Sequence, residues 1–258
     1  NKINQDFFEK LNALYIPKFE YIEVTTEQFN EHRSFEGGLI GSFFLSCVQR
    51  DWTIESKPER EENYGKILSE LKKYINYEDK ELMKNNDYKI LVPGTGCSRM
   101  TFELAKLGFD VECNDFCYIY ILFCDYLFNY STKNSEVFCP NISNFTNSYT
   151  AESVTKKYYF PDVDIREELT KANAKQIIFS KGDFLGLYKG KKDQYNVIIT
   201  LFFIDVSKNI IEYVEIMHDL LKQGGVWINL GCLDYFFSRQ YESIDLTWDE
   251  LRHVILEY

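Results

Sequence analysis

The chain has 258 residues, of which 45% are hydrophobic and 17% aromatic, which is enough to bury the core of one large globular domain with or without an extension. Its 29 Lys and Arg are outnumbered by 40 Asp and Glu, and the resulting net charge of -11 disfavours nucleic acid as a partner. No apolar run approaches the roughly 18 residues that span a bilayer. The first residues, NKINQDFFEK, lack the basic and apolar regions of a secretory signal. We therefore expect no membrane partner and a cytoplasmic location, with the nucleus as a second expected location.

The seven cysteines are expected to be reduced thiols. Their number is odd and no C-x-x-C motif occurs, so a complete disulfide framework is disfavoured. None of the three histidines has metal-ligand spacing to the Cys113 and Cys117 pair, so we expect no metal. The pattern leaves the oligomeric state open.

The first 86 residues are expected to form a helical extension packed on the core. Thr26 is suited to cap a helix, and the stretch SFEGGLIGSFF, 34–44, is expected to be a turn between helices. The segment KPEREENYGKILSELKKYI has apolar residues at the spacing of an amphipathic helix. These residues are Tyr64, Ile67, Leu68, Leu71 and Ile75.

From Tyr88 onward, strand and helix patterns alternate. The predicted strands are YKILVP, FDVECN, AKQIIFSKGDF, QYNVIITLFFID and VWINLG. The predicted helices are RMTFELAKLG ending at Gly108, FCYIYILFCDYLFN, NIIEYVEIMHDLLKQGG stopped by its two glycines, and TWDELRHVILEY. This alternation predicts an α/β fold with a doubly wound, mostly parallel sheet over residues 87–258, interrupted by an insertion at about 131–172.

The stretch VPGTGCSR ends the first predicted strand, where an open parallel sheet binds its ligands. Gly94 and Gly96 form G-x-G, but Ser98 and Arg99 occupy the positions where a third glycine is sought, which disfavours a dinucleotide and an oxidoreductase. S-adenosylmethionine tolerates a looser loop and needs an acid after the second strand, where Asp115 stands. Arg99 then becomes a candidate partner for the methionine carboxylate. A simple strand-to-helix turn is the alternative.

The stretch KGDFL follows the third strand and could hold an adenine. Asp183 could accept a hydrogen bond from the exocyclic amine, and Phe184 could pack on the ring. The order and spacing of these signals favour S-adenosylmethionine over either alternative.

Several motifs resemble the N2227-like family, to which carnosine N-methyltransferase belongs. They are RDW, VPGTGCSRMTFELAKLGF, CNDF, FPDVD, GDF, FFID and GGVWINLG, and they recur in order from about residue 47. The resemblance implies a class I S-adenosylmethionine-dependent methyltransferase fold and methyl transfer to an imidazole nitrogen of a histidine-containing dipeptide, with S-adenosylhomocysteine as product. It implies cofactor contacts for Arg50, Gly94, Gly96, Asp115, Asp183, Phe184 and Leu201, and acceptor contacts for Phe202, Asp205, Tyr235 and Phe236.

Asp205 is the candidate catalytic residue. Its carboxylate could hydrogen-bond one imidazole nitrogen and fix the tautomer, leaving the other nitrogen to attack. The alternative is a helix N-cap, since Asp205 precedes a predicted helix. In FPDVD, Asp162 and Asp164 could form a paired-carboxylate site or a turn, and the turn is favoured.

The chain departs from the family pattern at Ser98, where the family has glycine, and on the acceptor side at Lys208, Cys232 and Phe236. These departures favour, as the alternative function, a cofactor-binding domain without carnosine activity. Such a domain would serve in regulation or interaction, or act on a different peptide or protein acceptor. The sheet is also expected to lack the last two strands usual in this methyltransferase type.

Overall fold

A computed structural model of the chain describes residues 2–15, 39–142, 148–238 and 243–258. They fold as two compact units, one made of residues 1–61 with 122–168 and the other of 62–121 with 169–258. The sequence-based division into a helical extension over residues 1–86 and a core domain over residues 87–258 stays a prediction. Thr26 and residues 34–38 lie outside the described residues.

The unit of residues 62–121 and 169–258 contains a five-stranded parallel sheet. Its strands are β1 (Lys89–Pro93), β2 (Asp110–Asp115), β5 (Ile177–Lys181), β6 (Tyr195–Leu201) and β7 (Leu221–Leu230). Their order in the sheet is β5-β2-β1-β6-β7, and all the pairings are parallel. The doubly wound sheet predicted from the sequence is therefore confirmed. Strand order reverses between β1 and β6, the point where such sheets bind ligands.

Helices cover both faces of this sheet. Those with residues in this unit are α3 (Lys57–Tyr74), α4 (Lys80–Asn85), α5 (Arg99–Lys106), α6 (Tyr118–Asn129), α8 (Ile165–Lys171), α9 (Phe184–Tyr188), α10 (Ile210–Leu220) and α11 (Trp248–Glu257). Alternate residues of β1 point to opposite faces, so Ile90 and Val92 pack with α3 and α5 residues. Leu91 joins a second apolar cluster that contains α10 residues. The amphipathic face predicted for α3 is confirmed, with Ile67 and Leu71 buried.

The predicted end of helix α10 is wrong. The helix stops at Leu220, and the two glycines lie inside β7, where the pairing with β6 shifts register. Gly224 has a φ of +77°, and a Cβ on Gly225 would lie 2.8 Å from the carbonyl oxygen of Lys222. The glycines therefore serve a bulge in the strand rather than the helix end.

The unit of residues 1–61 and 122–168 is built around aromatic side chains. It contains α1 (Lys2–Tyr15), α2 (Leu39–Trp52), α7 (Ala151–Thr155) and an antiparallel pair of strands, β3 (Glu136–Phe138) and β4 (Tyr158–Phe160). The expected turn over 34–44 is wrong for residues 39–44, which are helical. The buried Phe44, Leu45 and Val48 show why, because their spacing gives α2 an apolar face that outweighs its glycine.

The two carboxylates of FPDVD have different partners in this unit. Asp162 is buried and accepts a 2.5 Å hydrogen bond from the Arg60 guanidinium, while its N–H donates to the carbonyl of Trp52. Asp164 accepts from the N–H of Glu167 at the start of α8. This geometry matches the turn interpretation and does not match a paired-carboxylate site. Among the described residues no helix is long and apolar enough to cross a membrane, and none of their His, Cys, Asp and Glu residues cluster as metal ligands.

Candidate functional site

The glycine loop after β1 has two glycines with different surroundings. Gly94 (φ +61°) lies against the buried ring of Phe203, and a Cβ there would be 2.2 Å from that ring. Gly96 (φ +53°) faces open space, since apart from its two neighbours in the chain no described residue has an atom within 4 Å of where its Cβ would be. Gly94 is therefore required for packing, whereas Gly96 leaves room at the carboxyl edge of the sheet.

Asp115 ends β2 and closes over this loop. Its Oδ2 accepts a hydrogen bond from the N–H of Gly96 at 3.0 Å, and its Oδ1 accepts from the N–H of Cys117 at 2.9 Å. The side chain is only 7% exposed, and burial raises its pKa to about 6. A carboxylate can accept about four hydrogen bonds, so Asp115 retains acceptor capacity for a ligand.

Ser98 and Arg99 begin helix α5, where the third glycine is missing. Ser98 has a φ of +59°, a conformation that glycine adopts at lower cost, and its Oγ lies 2.9 Å from the Oγ1 of Thr95. The guanidinium of Arg99 donates to Glu103 at 2.8 Å, four residues along the helix. The predicted contact of Arg99 with a carboxylate ligand stays a prediction. To make this contact, the guanidinium would have to bind the ligand together with Glu103 or in place of it.

Asp183 and Phe184 follow β5. Asp183 caps helix α9, since its Oδ2 accepts from the N–H of Gly186 at 2.9 Å. The ring of Phe184 is only 3% exposed and packs against the rings of Phe203 and Tyr213. To pack on an adenine, the ring would have to leave this apolar cluster. The predicted contact of Phe184 with adenine stays a prediction.

Phe116 is a candidate residue that the sequence reasoning missed. It directly follows Asp115 at the end of β2, and its ring is 56% exposed. On the neighbouring strand, the ammonium of Lys181 lies 4.0 Å from the ring centre of Tyr118. The available signal was an aromatic residue placed immediately after a strand-ending acid at the ligand-binding edge.

The end of β6 carries an unusual backbone. Leu201 is partly buried against the core, while Phe202 has a φ of +50° and a side chain 43% exposed. A Cβ on Gly231, which follows β7, would lie 3.0 Å from the backbone of Phe202. A bulky residue at positive φ is costly, and such strain concentrates at functional sites.

Asp205 lies in the short 3-10 turn Ile204–Val206 and is 6% exposed. Its Oδ2 accepts from the N–H of Asp234 at 3.0 Å and lies 3.5 Å from the Sγ of Cys232. No described residue donates a hydrogen bond to Oδ1. The N-cap alternative is wrong, because the side chain of Asn209 caps helix α10 instead.

Tyr235 and Phe236 lie in the segment after β7. The hydroxyl of Tyr235 hydrogen-bonds both the carbonyl and the N–H of Leu246. The N–H of Phe236 donates to the carbonyl of Asp205 at 3.0 Å, and the Phe236 ring is exposed. The ammonium of Lys208 lies 5.3 Å from the ring centre of Phe237. Phe236 and Lys208, two of the departures from the family pattern, are thus both exposed in this unit.

Arg50 belongs to the other compact unit, near the end of helix α2. Its Nε donates to the buried carboxylate of Asp51 at 2.8 Å. Its predicted cofactor contact stays a prediction. The other predicted site residues lie at the carboxyl edge of one sheet. Each is the last residue of a strand or belongs to the segment that follows a strand. They are Gly94, Gly96, Arg99, Asp115, Asp183, Phe184, Leu201, Phe202, Asp205, Tyr235 and Phe236.

The family model for carnosine N-methyltransferase matches residues 41–258. The chain belongs to this family. It is 36% identical over 210 residues to carnosine N-methyltransferase unmet of Drosophila melanogaster, covering 80% of this chain and 44% of that protein. It is 32% identical over 242 residues to carnosine N-methyltransferase of Mus musculus, covering 93% and 58%. The resemblance drawn from the motifs is confirmed, and the chain spans about half the length of the curated relatives it matches.

Solved structures of methyltransferases also resemble the chain. One is an S-adenosylmethionine-dependent methyltransferase from Thiobacillus denitrificans in complex with S-adenosyl-L-homocysteine, at 14% identity and a TM-score of 0.34, covering 55% of this chain and 41% of that one. Another is phosphoethanolamine N-methyltransferase 2 of Haemonchus contortus in complex with S-adenosyl-L-methionine, at 11% identity and a TM-score of 0.40, covering 67% and 33%. The assignment to the class I methyltransferase fold follows from the strand order and the family.

Proposed function

We propose that this chain is an S-adenosylmethionine-dependent N-methyltransferase that methylates an imidazole nitrogen of a histidine-containing dipeptide or a related small acceptor. The family supports the reaction class. The observation that carries the proposal is the carboxylate of Asp115, held over the open glycine loop at the point where strand order reverses.

The residues at this edge fit the cofactor. Gly96 leaves space that a side chain would fill, and Asp115 can accept hydrogen bonds from the two ribose hydroxyls beside it. No pyrophosphate cradle is needed, so the side chains of Ser98 and Arg99 at the helix start do not conflict with the ligand.

We assign the adenine contact to Phe116. Its exposed ring follows Asp115, whereas the ring of Phe184 lies in the apolar cluster. A π-face against the base and a carboxylate toward the exocyclic amine are two contacts that hold an adenine, and Asp183, which follows the adjacent strand β5, would supply the second.

When bound, S-adenosylmethionine supplies an electrophilic methyl group on a sulfonium. The lone pair of an acceptor imidazole nitrogen would form the new N–C bond as the C–S bond breaks. The ring would then be an imidazolium, and the proton on its other nitrogen would pass to water. We assign to the Oδ1 of Asp205 the hydrogen bond from that second N–H, which would fix the tautomer and stabilise the positive charge, while Oδ2 accepts from the N–H of Asp234. In-line transfer needs mainly this orientation.

Calorimetric titration with S-adenosylhomocysteine tests the cofactor half. We expect binding by the wild-type chain and a loss of about tenfold or more in affinity for Asp115→Ala, since a charged acceptor is removed. Asp110→Ala is the matched control, because Asp110 lies at the opposite end of β2 and accepts from the N–H of Gln176. No heat change with the wild-type chain at high concentration would overturn the proposal.

Transfer of label from S-adenosylmethionine to histidine dipeptides, free histidine and longer peptides tests the acceptor half. We expect turnover with the dipeptides, and we expect Asp205→Ala to lower it by about a hundredfold or more while cofactor affinity is unchanged. Retained cofactor binding with no transfer to any acceptor would instead identify a binding module, the function that the exposed Phe236 and Lys208 would then favour.

A further inference from the structure

The segment 232–236 after β7 is held by Asp205 through three contacts. The Oδ2 of Asp205 accepts from the N–H of Asp234 and lies within hydrogen-bonding distance of the thiol of Cys232. The main-chain carbonyl of Asp205 accepts from the N–H of Phe236. One residue of the turn after β6 therefore bonds residues at positions 232, 234 and 236 of the neighbouring strand's extension.

A second set of contacts fixes the chain farther along. The hydroxyl of Tyr235 bonds the main chain of Leu246, and the N–H of Ile244 donates to the carbonyl of Lys208 at 2.9 Å. The first contact ties Tyr235 to Leu246, and the second ties Ile244 to the residues just before helix α10.

The two oxygens of Asp205 have different surroundings. Oδ2 is engaged with the segment, whereas no described residue donates to Oδ1. Among the described residues no fully buried polar side-chain atom lacks a hydrogen-bond partner, so Oδ1 keeps some contact with solvent. One oxygen is therefore committed to the fold and the other is available to a ligand.

We propose that Asp205 is a positioning residue through Oδ2, which fixes segment 232–236 and with it the exposed ring of Phe236 as a wall of the acceptor site. The inference rests on the proposed function for the identity of that site. It adds a second task to Asp205, carried out by the oxygen that does not face the acceptor. The aromatic wall would favour acceptors with an apolar or aromatic group beside the methylated ring.

The variants Asp205→Asn and Asp205→Ala separate the two tasks. The amide oxygen of Asn can still accept from the N–H of Asp234, because its NH2 group would be repelled there, so Asn keeps the segment and loses the acceptor contact. Ala loses both. Asp234→Ala is the matched control, because it removes an exposed carboxylate and keeps the N–H that Asp205 binds.

Hydrogen exchange of peptides covering residues 230–238, without any substrate, reports the positioning task. We expect exchange at the amide of Asp234 to be about tenfold faster in Asp205→Ala, and near wild type in Asp205→Asn and Asp234→Ala. Wild-type exchange in Asp205→Ala, or equally fast exchange in both Asp205 variants, would overturn the proposal.

Steady-state kinetics provide the readout that a merely structural role would not change. We expect both Asp205 variants to keep the KM for S-adenosylmethionine, and kcat/KM for the acceptor to be at least about fivefold lower in Asp205→Ala than in Asp205→Asn. Equal losses in the two variants would overturn the proposal. An inactive wild-type chain would overturn the proposed function and the acceptor-site part of this inference with it. In that case the exchange measurement alone would decide whether Oδ2 holds the segment.

Discussion

The carboxylate of Asp115 accepts a hydrogen bond from the N–H of Gly96, 3.0 Å away, and so joins the end of β2 to the loop after β1. The bond consumes one acceptor position of Oδ2 and orients the carboxylate over the glycine whose missing side chain leaves open space. The charge is nevertheless buried, which is why the pKa is raised to about 6. The residue best placed to bind a ligand is therefore also a source of instability for the folded chain.

We expect Asp115 to make stability fall as pH rises from about 4 to 6. Its pKa is raised from 3.8 to about 6 on folding, so the native state holds more protons than the unfolded state within this window. The free energy of unfolding should therefore lose about 2 kcal/mol to this residue between pH 4 and 6, out of about 3 kcal/mol over the full titration from well below pH 4 to well above pH 6. Denaturant titrations at several pH values, compared with Asp115→Asn, would isolate the contribution, and parallel curves for the two proteins would contradict it.

Alanine should affect mainly folding stability at Gly94 and mainly ligand binding at Gly96. Gly94→Ala places a Cβ against the buried ring of Phe203 and at positive φ, and should cost about 3 kcal/mol of folding stability. Gly96→Ala meets only backbone strain of about 1 kcal/mol, but its Cβ fills the space left for the ligand. Melting temperatures and S-adenosylhomocysteine titrations of both variants are the measurements. Undiminished ligand affinity in Gly96→Ala would show that the space is not used.

At position 98, glycine should give a more stable folded protein than alanine. Both changes remove the hydroxyl that Ser98 shares with Thr95, but only glycine relieves the positive φ, so Ser98→Gly should be more stable than Ser98→Ala by about 1 kcal/mol. The control is Ser69, an exposed position within helix α3, where alanine should be the more stable by about 1 kcal/mol. Chemical denaturation of the four variants decides the matter; the same order at both positions would be the contradicting result.

Phe116 and Phe184 should separate ligand binding from stability. Phe116→Ala removes an exposed ring, so stability should change by less than about 0.5 kcal/mol while the Kd for S-adenosylhomocysteine rises about tenfold. Phe184→Ala empties a core position and should cost about 3–5 kcal/mol of stability. Calorimetry and thermal unfolding on the same samples test both statements. Normal affinity in Phe116→Ala would return the adenine contact to Phe184.

The sheet could be predicted because its strands are apolar runs separated by helices with a 3.6-residue period. Secondary-structure prediction failed at glycines, because glycine occurs at turns and helix ends but also within strand bulges and helices. The pair Gly224 and Gly225 resembles a helix stop, but it forms a bulge that depends on the pairing of β6 with β7. The helix through Gly41 was missed because burial of Phe44 and Val48 outweighs the local preference of glycine for turns.

In the site, residues fixed by strand ends were predictable and those fixed by packing were not. Asp115 could be assigned from its place at the end of β2, and the hydrogen bond that it accepts from the N–H of Gly96 holds it over the loop. Nothing in the spacing distinguishes the exposed ring of Phe116 from the buried ring of Phe184, because burial depends on Phe203 and Tyr213 from other elements. The contacts of Asp205 with residues 232–236 likewise depend on the neighbouring strand.

The most direct test is transfer of labelled methyl from S-adenosylmethionine to a histidine dipeptide such as carnosine, followed by mass spectrometry of the product. We expect one added methyl on the imidazole ring with the wild-type chain, and slower product formation with Asp115→Ala at a cofactor concentration that just saturates the wild type, because the affinity of this variant is about tenfold or more lower. Binding of S-adenosylhomocysteine without any methylated imidazole product, across the full set of acceptors, would contradict the assignment of the chain as an imidazole N-methyltransferase.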